Sequence, residues 1–197
     1  RWFADRPDLQ LIIRVHPAEV SGDIPSRQPV VEEVRKRFPA LPRNVFLIPP
    51  QSSVSTYALM EACNAVILYG TKTGVEVTSL GIPVIVAGEA WIRGKGITLD
   101  ARSADHYFEI LDRLPFPGRM DADMVRRARR YAYHFFFRRM IPISQVEPTG
   151  GEPQFRIRIA GLDDLKPGRG VGLDLVCKGI LNGSPFIYPA ERVGCGG

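Results

Sequence analysis

The sequence predicts an α/β protein built on an open parallel sheet flanked by helices, with a helical C-terminal segment. Three observations carry that expectation. Apolar runs of one strand's length, LQLIIRVH (9–16), VFLI (45–48), AVILY (65–69) and PVIVA (83–87), alternate with stretches at helical spacing. The loops between them are brief, as in a sheet whose parallel strands are joined by helical crossovers. The chain of 197 residues is 45% hydrophobic and 24% charged, enough to bury a core, which excludes wholesale disorder. No apolar run approaches the ~18–20 residues that a spanning helix needs, so no membrane-spanning helix is predicted.

Taken in order, Leu9–His16 has the continuous apolar pattern of a strand covered on both faces, and Pro17 ends it because proline cannot continue a central strand. After a polar loop, Val30–Phe38 has helical spacing. Val45–Ile48 is the second strand, closed by Pro49-Pro50, and a helix over Ser53–Cys63 follows with Ser52 or Ser53 as its cap. The third strand, Ala65–Tyr69, runs into Gly70-Thr71-Lys72-Thr73-Gly74 and a helix over Val75–Leu80 that Gly81 stops. Pro83–Ala87 is the fourth strand and Ile97–Asp100 a turn. Ser103 caps an amphipathic helix over Ser103–Leu114, broken by Pro115, Pro117 and Gly118. Asp121–Met140 reads as one longer helix with acidic residues in its first turn, where they suit the dipole. From Pro142 onward, where 11 of the 19 glycines fall, the one regular element predicted is a helix over Val171–Leu181, with Leu173, Val176 and Ile180 on one face. The expected divisions are therefore a sheet-bearing region 1–118, a basic helix 119–141 and an extension 142–197. Because the chain starts at Arg1 and a periodic element begins almost at once, it reads as a fragment whose N-terminal portion is missing.

The net charge of +5 is local. Seven arginines between Arg119 and Arg139 face only Asp121 and Asp123, while the rest of the chain balances at 19 basic and 19 acidic residues. Within this segment Met124, Ala128, Tyr131 and Phe135 share one helical face, which leaves Arg126, Arg127, Arg129 and Arg130 outward. A solvated arginine face is the simplest reading. Contact with an anionic membrane comes next, since Phe136 and Phe137 suit the headgroup boundary, and nucleic-acid binding third. Cys63, Cys177 and Cys195 are odd in number, widely separated and without neighbouring histidines, which argues against a disulfide framework and a zinc site and fits a reducing cytoplasm.

In a parallel sheet, ligands bind at the carboxyl ends of the strands, so the loops there hold the candidate residues. His16 is the first, able to donate to a phosphate or sugar oxygen or to serve structurally. In Thr71-Lys72-Thr73-Gly74-Val75-Glu76, hydroxyls and a glycine enter a helix from a buried strand. Free amides at a helix start bind anions, and the alternative is an ordinary threonine cap with a glycine for packing. Gly88–Gly96 (GEAWIRGKG) is not a phosphate loop of the NTPase kind: five residues separate Gly88 from Gly94, and Gly96 stands where the metal-binding hydroxyl belongs. Arg93 and Lys95 there are candidate anion contacts. No cofactor and no metal is predicted, and no Gly-x-Ser-x-Gly elbow is present.

The series IIRVHPAE (12–19), IPP (48–50), YGTKTGVEVTSLGIPVIVAGEAWIRGKGITLDA (69–101) and GLDDLKPGRGVGLDLVCKGILNGSPF (161–186) resembles bacterial capsule polysaccharide biosynthesis proteins, relatives of GT-B glycosyltransferases that use CMP-linked sugars. The resemblance implies a Rossmann-like, donor-binding C-terminal lobe whose partner lobe, with the catalytic base, precedes it. It implies that His16, Pro17 and Glu19 lie at the donor phosphate, that Pro49 and Pro50 pack beside the nucleobase, and that Thr71, Thr73, Gly74 and Glu76 form the phosphate-binding turn. The implied partners are a nucleotide-sugar and a glycan or lipid-linked acceptor, in the cytoplasm or at the inner face of its membrane. Rival readings on the same architecture are a teichoic-acid type glycerophosphotransferase and a UDP-sugar 2-epimerase; a rival of another class is a non-catalytic module that binds membrane or nucleic acid.

Overall fold

The first two apolar runs pair with each other, and the next two do likewise. In the computed structural model, which describes residues 2–21 and 26–193, β1 (Leu11–Arg14) runs parallel to β2 (Val45–Ile48), with Leu11 opposite Val45 and Arg14 opposite Ile48. The crossover between them holds α1 (Ala18–Ser21) and α2 (Val30–Arg37). After α3 (Thr56–Ala62), a second parallel sheet forms from β3 (Val66–Leu68), β4 (Val84–Val86) and β5 (Leu99–Asp100) in that order, with α4 (Thr73–Ser79) between β3 and β4. Next come α5 (Ala104–Leu111) and α6 (Ala122–Tyr133), which continues as a π-turn over His134–Arg138. Then follow the antiparallel pair β6 (Val146–Pro148) and β7 (Phe155–Ile157), a 3-10 turn at Leu162–Leu165, α7 (Val171–Asn182) and α8 (Ala190–Val193). The chain forms two compact units, Arg1–Val125 and Arg126–Gly197. Arg1 and Cys195 lie outside the described residues.

The protein is thus mixed α/β with parallel sheets, but the single open sheet that the sequence predicts is two separate pieces. An unbroken apolar run shows that a strand lacks polar alternation; it does not show which neighbour covers it. β1 is half-buried along its length, and Phe46 of β2 is 45% exposed, so the first sheet is not covered on both faces. β4 is the strand that fits the pattern, buried at all three residues. Its Ile85 packs with Ala101, Ile110 and Leu111, and Leu99, Tyr107 and Phe116 close around them, so α5 seals the β4–β5 edge. Near β1, the side-chain Nδ2 of Asn44 donates to the carbonyls of Phe3, Arg6 and Leu9 at 2.7, 3.0 and 2.9 Å, which ties the N-terminal 3-10 turn (Trp2–Asp5) to the start of β2.

Local expectations meet mixed outcomes. Gly81 follows α4 with φ +79°, the left-handed conformation that glycine adopts at little cost, and Ser103 caps α5 by accepting from the His106 amide. The cap of α3, however, is Ser55, whose hydroxyl accepts from Ala58, and not Ser52 or Ser53. α4 begins at Thr73, two residues before the predicted start. A strand, β5, stands inside the expected turn at Ile97–Asp100. The sequence reading has no strand at β6 or β7, although Phe155, Ile157 and Ile159 alternate with Arg156 and Arg158; the apolar side of that alternation stays exposed. In α7, Ile180 is 72% exposed and off the packed face. That face is set by Gly172, where a Cβ would lie 1.9 Å from the Pro142 carbonyl oxygen, and by Gly179, pressed on the Phe186 ring. Among the described residues no helix is long and apolar enough to cross a membrane.

Truncating Ile85 to Ala should cost about 2–5 kcal/mol, the range for a fully buried aliphatic residue, as read by urea unfolding. Phe46→Ala, at a site already half in water, should cost less than half as much.

Candidate functional site

Every strand of the two parallel sheets delivers its loop at a carboxyl end, and the candidate residues of residues 1–125 fall in those loops or at the start of the helices that follow, Glu19 in α1 and Thr73, Gly74 and Glu76 in α4. β1 ends at Arg14, then buried Val15, then the exposed ring of His16. The Ala18 amide donates to His16 Nδ1 at 3.1 Å. An imidazole whose Nδ1 accepts carries its proton on Nε2, so the ring presents an N–H donor from the strand end. Pro17, also exposed, opens α1, its carbonyl accepting from the Val20 and Ser21 amides. Glu19, which the resemblance places at the donor phosphate, accepts from the Val30 amide through both oxygens, at 3.1 and 3.3 Å, and its negative charge sits at the start of α2. Of the two prolines after β2, Pro49 is exposed and Pro50 buried.

The residue that unites these two loops is one the sequence reading passes over. Arg14 Nη1 donates to the carbonyls of Val15 and Pro49, both at 2.8 Å, and Nη2 to that of Ser52 at 3.2 Å. One guanidinium therefore pins the His16 loop to the Pro49–Ser52 loop. Its signal in the sequence was a single charged residue closing an otherwise apolar strand.

At the second sheet, the hydroxyls of Thr71 and Thr73 lie 3.1 Å apart, and the Thr73 amide donates to Thr71 Oγ1 at 3.3 Å. Lys72 occupies the cap position of α4 and gives it no side-chain bond. Gly74 is a packing glycine rather than an opening for a ligand: a Cβ there would lie 2.6 Å from Leu68 Cδ1 and 3.1 Å from Ile92 Cγ2. Glu76, one turn on, accepts from the Tyr57 hydroxyl at 2.6 Å, which joins α3 to α4. That bond, the carboxylate's charge and slight burial hold the Tyr57 phenol above its ordinary value. The loops after β3 and β4 touch closely, since a Cβ on Gly88 would meet the Tyr69 ring at 2.7 Å and one on Gly70 the Glu89 carbonyl at 2.9 Å.

Arg93 is committed to the backbone. Its guanidinium donates to the carbonyls of Gly88 at 3.1 Å and Ala101 at 2.5 Å and lies 3.4 Å from the Glu89 carboxylate, so it braces the loop between β4 and β5. Asp100 holds the other side of that loop, accepting from the Gly94 amide at 2.7 Å and the Thr98 hydroxyl at 2.6 Å. Lys95 stands exposed at the tip. Arg119 likewise leaves the basic segment to cap α3, donating to the carbonyls of Glu61 and Cys63. Burial raises the Cys63 thiol, against the pull of Arg119, and so disfavours its thiolate. No group of three His, Cys, Asp or Glu among the described residues is placed to hold a metal ion.

Two donor sets result, His16 on the first sheet and the Thr71–Thr73 pair on the second. No hydrogen bond among the described residues links them. They define a mixed α/β protein that offers uncharged hydrogen-bond donors at the carboxyl ends of parallel strands, an arrangement suited to oxygen-rich ligands. Residues 1–131 match the family model described as capsule polysaccharide biosynthesis protein, and the chain belongs to that family. The membership points to a role in capsule polysaccharide synthesis and is consistent with a glycosyltransferase or a related enzyme. No curated protein and no solved structure matches the chain.

The raised Tyr57 value has a testable sign. The neutral phenol is the form that folding favours, so the stabilisation is complete below the unfolded value of about 10 and is lost as pH rises through the higher folded value. Glu76→Gln should move the Tyr57 titration down toward that of a free phenol, as followed by phenolate absorbance in difference spectra against Tyr57→Phe.

Proposed function

We propose that the chain is the donor-binding part of a capsule glycosyltransferase that takes a sugar from a nucleotide-sugar, CMP-linked by the resemblance, to a growing glycan or lipid-linked acceptor. The observation that carries this reading is the state of His16: its Nδ1 is occupied by the Ala18 amide, which leaves Nε2–H to donate at the end of a parallel strand. Membership of the capsule polysaccharide biosynthesis family supports the role in capsule synthesis, and the nucleotide-sugar donor is what the resemblance adds.

In this reading the bond from the sugar's anomeric carbon to the donor phosphate breaks, and the electron pair leaves with the phosphate. Donors fixed in place beforehand stabilise that charge as it develops, which is where such groups lower a barrier most. His16 gives Nε2–H, and Thr71 and Thr73 give hydroxyls. The two hydroxyls share one hydrogen bond, so a proton on the other oxygen remains for the ligand. Pro49, whose carbonyl Arg14 holds, and Pro50 beside it would flank the base. Arg93, Gly74 and Glu19 support these loops by bracing, packing and capping. The acceptor oxygen forms the new bond, and its proton passes to a base that the resemblance assigns to an N-terminal lobe. Residues 1–197 would then bind nucleotide and transfer no sugar alone.

Calorimetric titration with CMP, UDP and GDP tests this, and CMP is expected to bind most tightly; no binding by any of the three refutes the reading. His16→Ala should weaken CMP binding by about tenfold or more, the worth of one hydrogen bond to a charged group, while the thermal midpoint stays nearly unchanged because the ring is exposed. A collapse of the midpoint with affinity intact would make His16 structural. Thr73→Val should weaken CMP more than cytidine, since only the former carries the phosphate.

A further inference from the structure

The charge of this chain is divided between its two units. Residues 1–125 hold 14 Lys and Arg against 15 Asp and Glu, whereas residues 126–197 hold 12 against 6. Within the second unit the imbalance is concentrated further: from Arg126 to Gln145 there are six arginines and no acidic residue.

The helix sorts these arginines. Arg126 stands three and four residues before Arg129 and Arg130, these stand four and three before Tyr133, and Phe137 follows four later, so they form one stripe along α6 and its π continuation, and all five are exposed. Ala128 and Phe135 are buried. The Tyr133 and Phe137 rings stack, centroids 5.3 Å apart. At the C-terminal end of the stripe, Phe136, Phe137, Met140, Ile141, Pro142 and Tyr188 line an open groove of about 520 Å³. Phe137 belongs to both stripe and groove, at 58% exposed, and Met140 is 44% exposed. The far wall is held in place: the Tyr188 amide donates to the Arg138 carbonyl at 2.7 Å, and the Arg138 guanidinium lies 3.5 Å from Glu191.

A row of cations that ends on an exposed apolar groove matches one kind of surface, a sheet of negative headgroups over an acyl layer. We propose that this face of residues 126–190 docks on an anionic lipid bilayer, with Arg126, Arg129 and Arg130 at the headgroup phosphates and Phe137, Met140 and the groove at the acyl boundary. Single-stranded nucleic acid fits less well, because its backbone runs along a groove lined by cations with bases stacked on aromatic rings. Here the groove itself is apolar and the cations lie outside it. A protein partner selected by charge would meet interspersed signs, and this stretch has only one. The inference stands apart from the donor site, since the family match ends at residue 131 and most of this surface lies beyond it.

Flotation of the full chain with vesicles of phosphatidylcholine alone, or with phosphatidylglycerol added, tests the proposal. The chain should float with the anionic vesicles, and added salt should release it. The triple variant R126Q/R129Q/R130Q should lower the partition coefficient roughly a hundredfold, at ~1 kcal/mol per arginine near an anionic surface. F137S/M140S should lower it about tenfold by removing the apolar part. Circular dichroism confirms that each variant folds, and the salt series on the unaltered chain needs no variant at all. Absence of binding to anionic vesicles, binding indifferent to salt, or capture by a single-stranded oligonucleotide with none by vesicles each overturns it. CMP affinity is measured in parallel, so failure here is distinguishable from failure of the donor reading.

Discussion

Because β1 and β2 run in the same direction, their loops leave the sheet at the same edge, close enough for one side chain to bond both. Arg14 does so. As the last residue of β1 it reaches the carbonyls of Val15, Pro49 and Ser52, adding to the turn that the Ser52 amide already closes on the Pro49 carbonyl. The strands are four residues long, too short for their own ladder to fix the loops beyond them. What fixes them is a cation whose planar fork meets several oxygens at once, a geometry that lysine's single ammonium lacks. The placement of His16 therefore depends on a side chain whose hydrogen bonds all go to backbone carbonyls.

The same device recurs at the second sheet. Arg93 ties the loop after β4 to the carbonyls of Gly88 and Ala101, and Arg119 closes the end of α3. Arginines that count as net positive charge in the composition are thus used inside residues 1–125 as backbone bridges. The guanidinium groups of Arg14, Arg93 and Arg119 each donate to backbone carbonyls, while the hydroxyls of Thr71 and Thr73 and the His16 ring stand at the strand ends as uncharged polar groups. That division of labour is legible only once the carbonyls are placed, because nothing in the sequence tells a guanidinium facing solvent from one facing backbone.

Other parts were open to sequence reasoning. Strand and helix alternation locates β2 to the residue, the Gly81 stop and the Ser103 cap follow from local chemistry, and the buried face of α6 follows from its period. Where the reasoning fails, a tertiary partner decides. Ser55 rather than Ser52 caps α3, since three serines in four residues offer equal side chains and only the chain's path selects one. Gly74 reads equally as a ligand approach or a packing contact until Leu68 and Ile92 are seen against it. β6 and β7 pair at the surface, and the period-two signal of Phe155, Ile157 and Ile159 is there to be read, inside a stretch whose glycines and prolines suggest loop.

The π-turn at His134–Arg138 sets a phase relation. It fits five residues into a turn that an α-helix closes with fewer, with the Arg139 amide donating to the His134 carbonyl at 2.9 Å. Each residue of helix advances the side chains by about 100°. The bearing of Met140, Ile141 and Pro142 relative to the arginines of α6 is consequently counted in single residues: one fewer in that turn would swing the groove away from the stripe without altering any side chain in either. Variation in the length of this segment, rather than in its composition, is where the two halves of the surface would come apart.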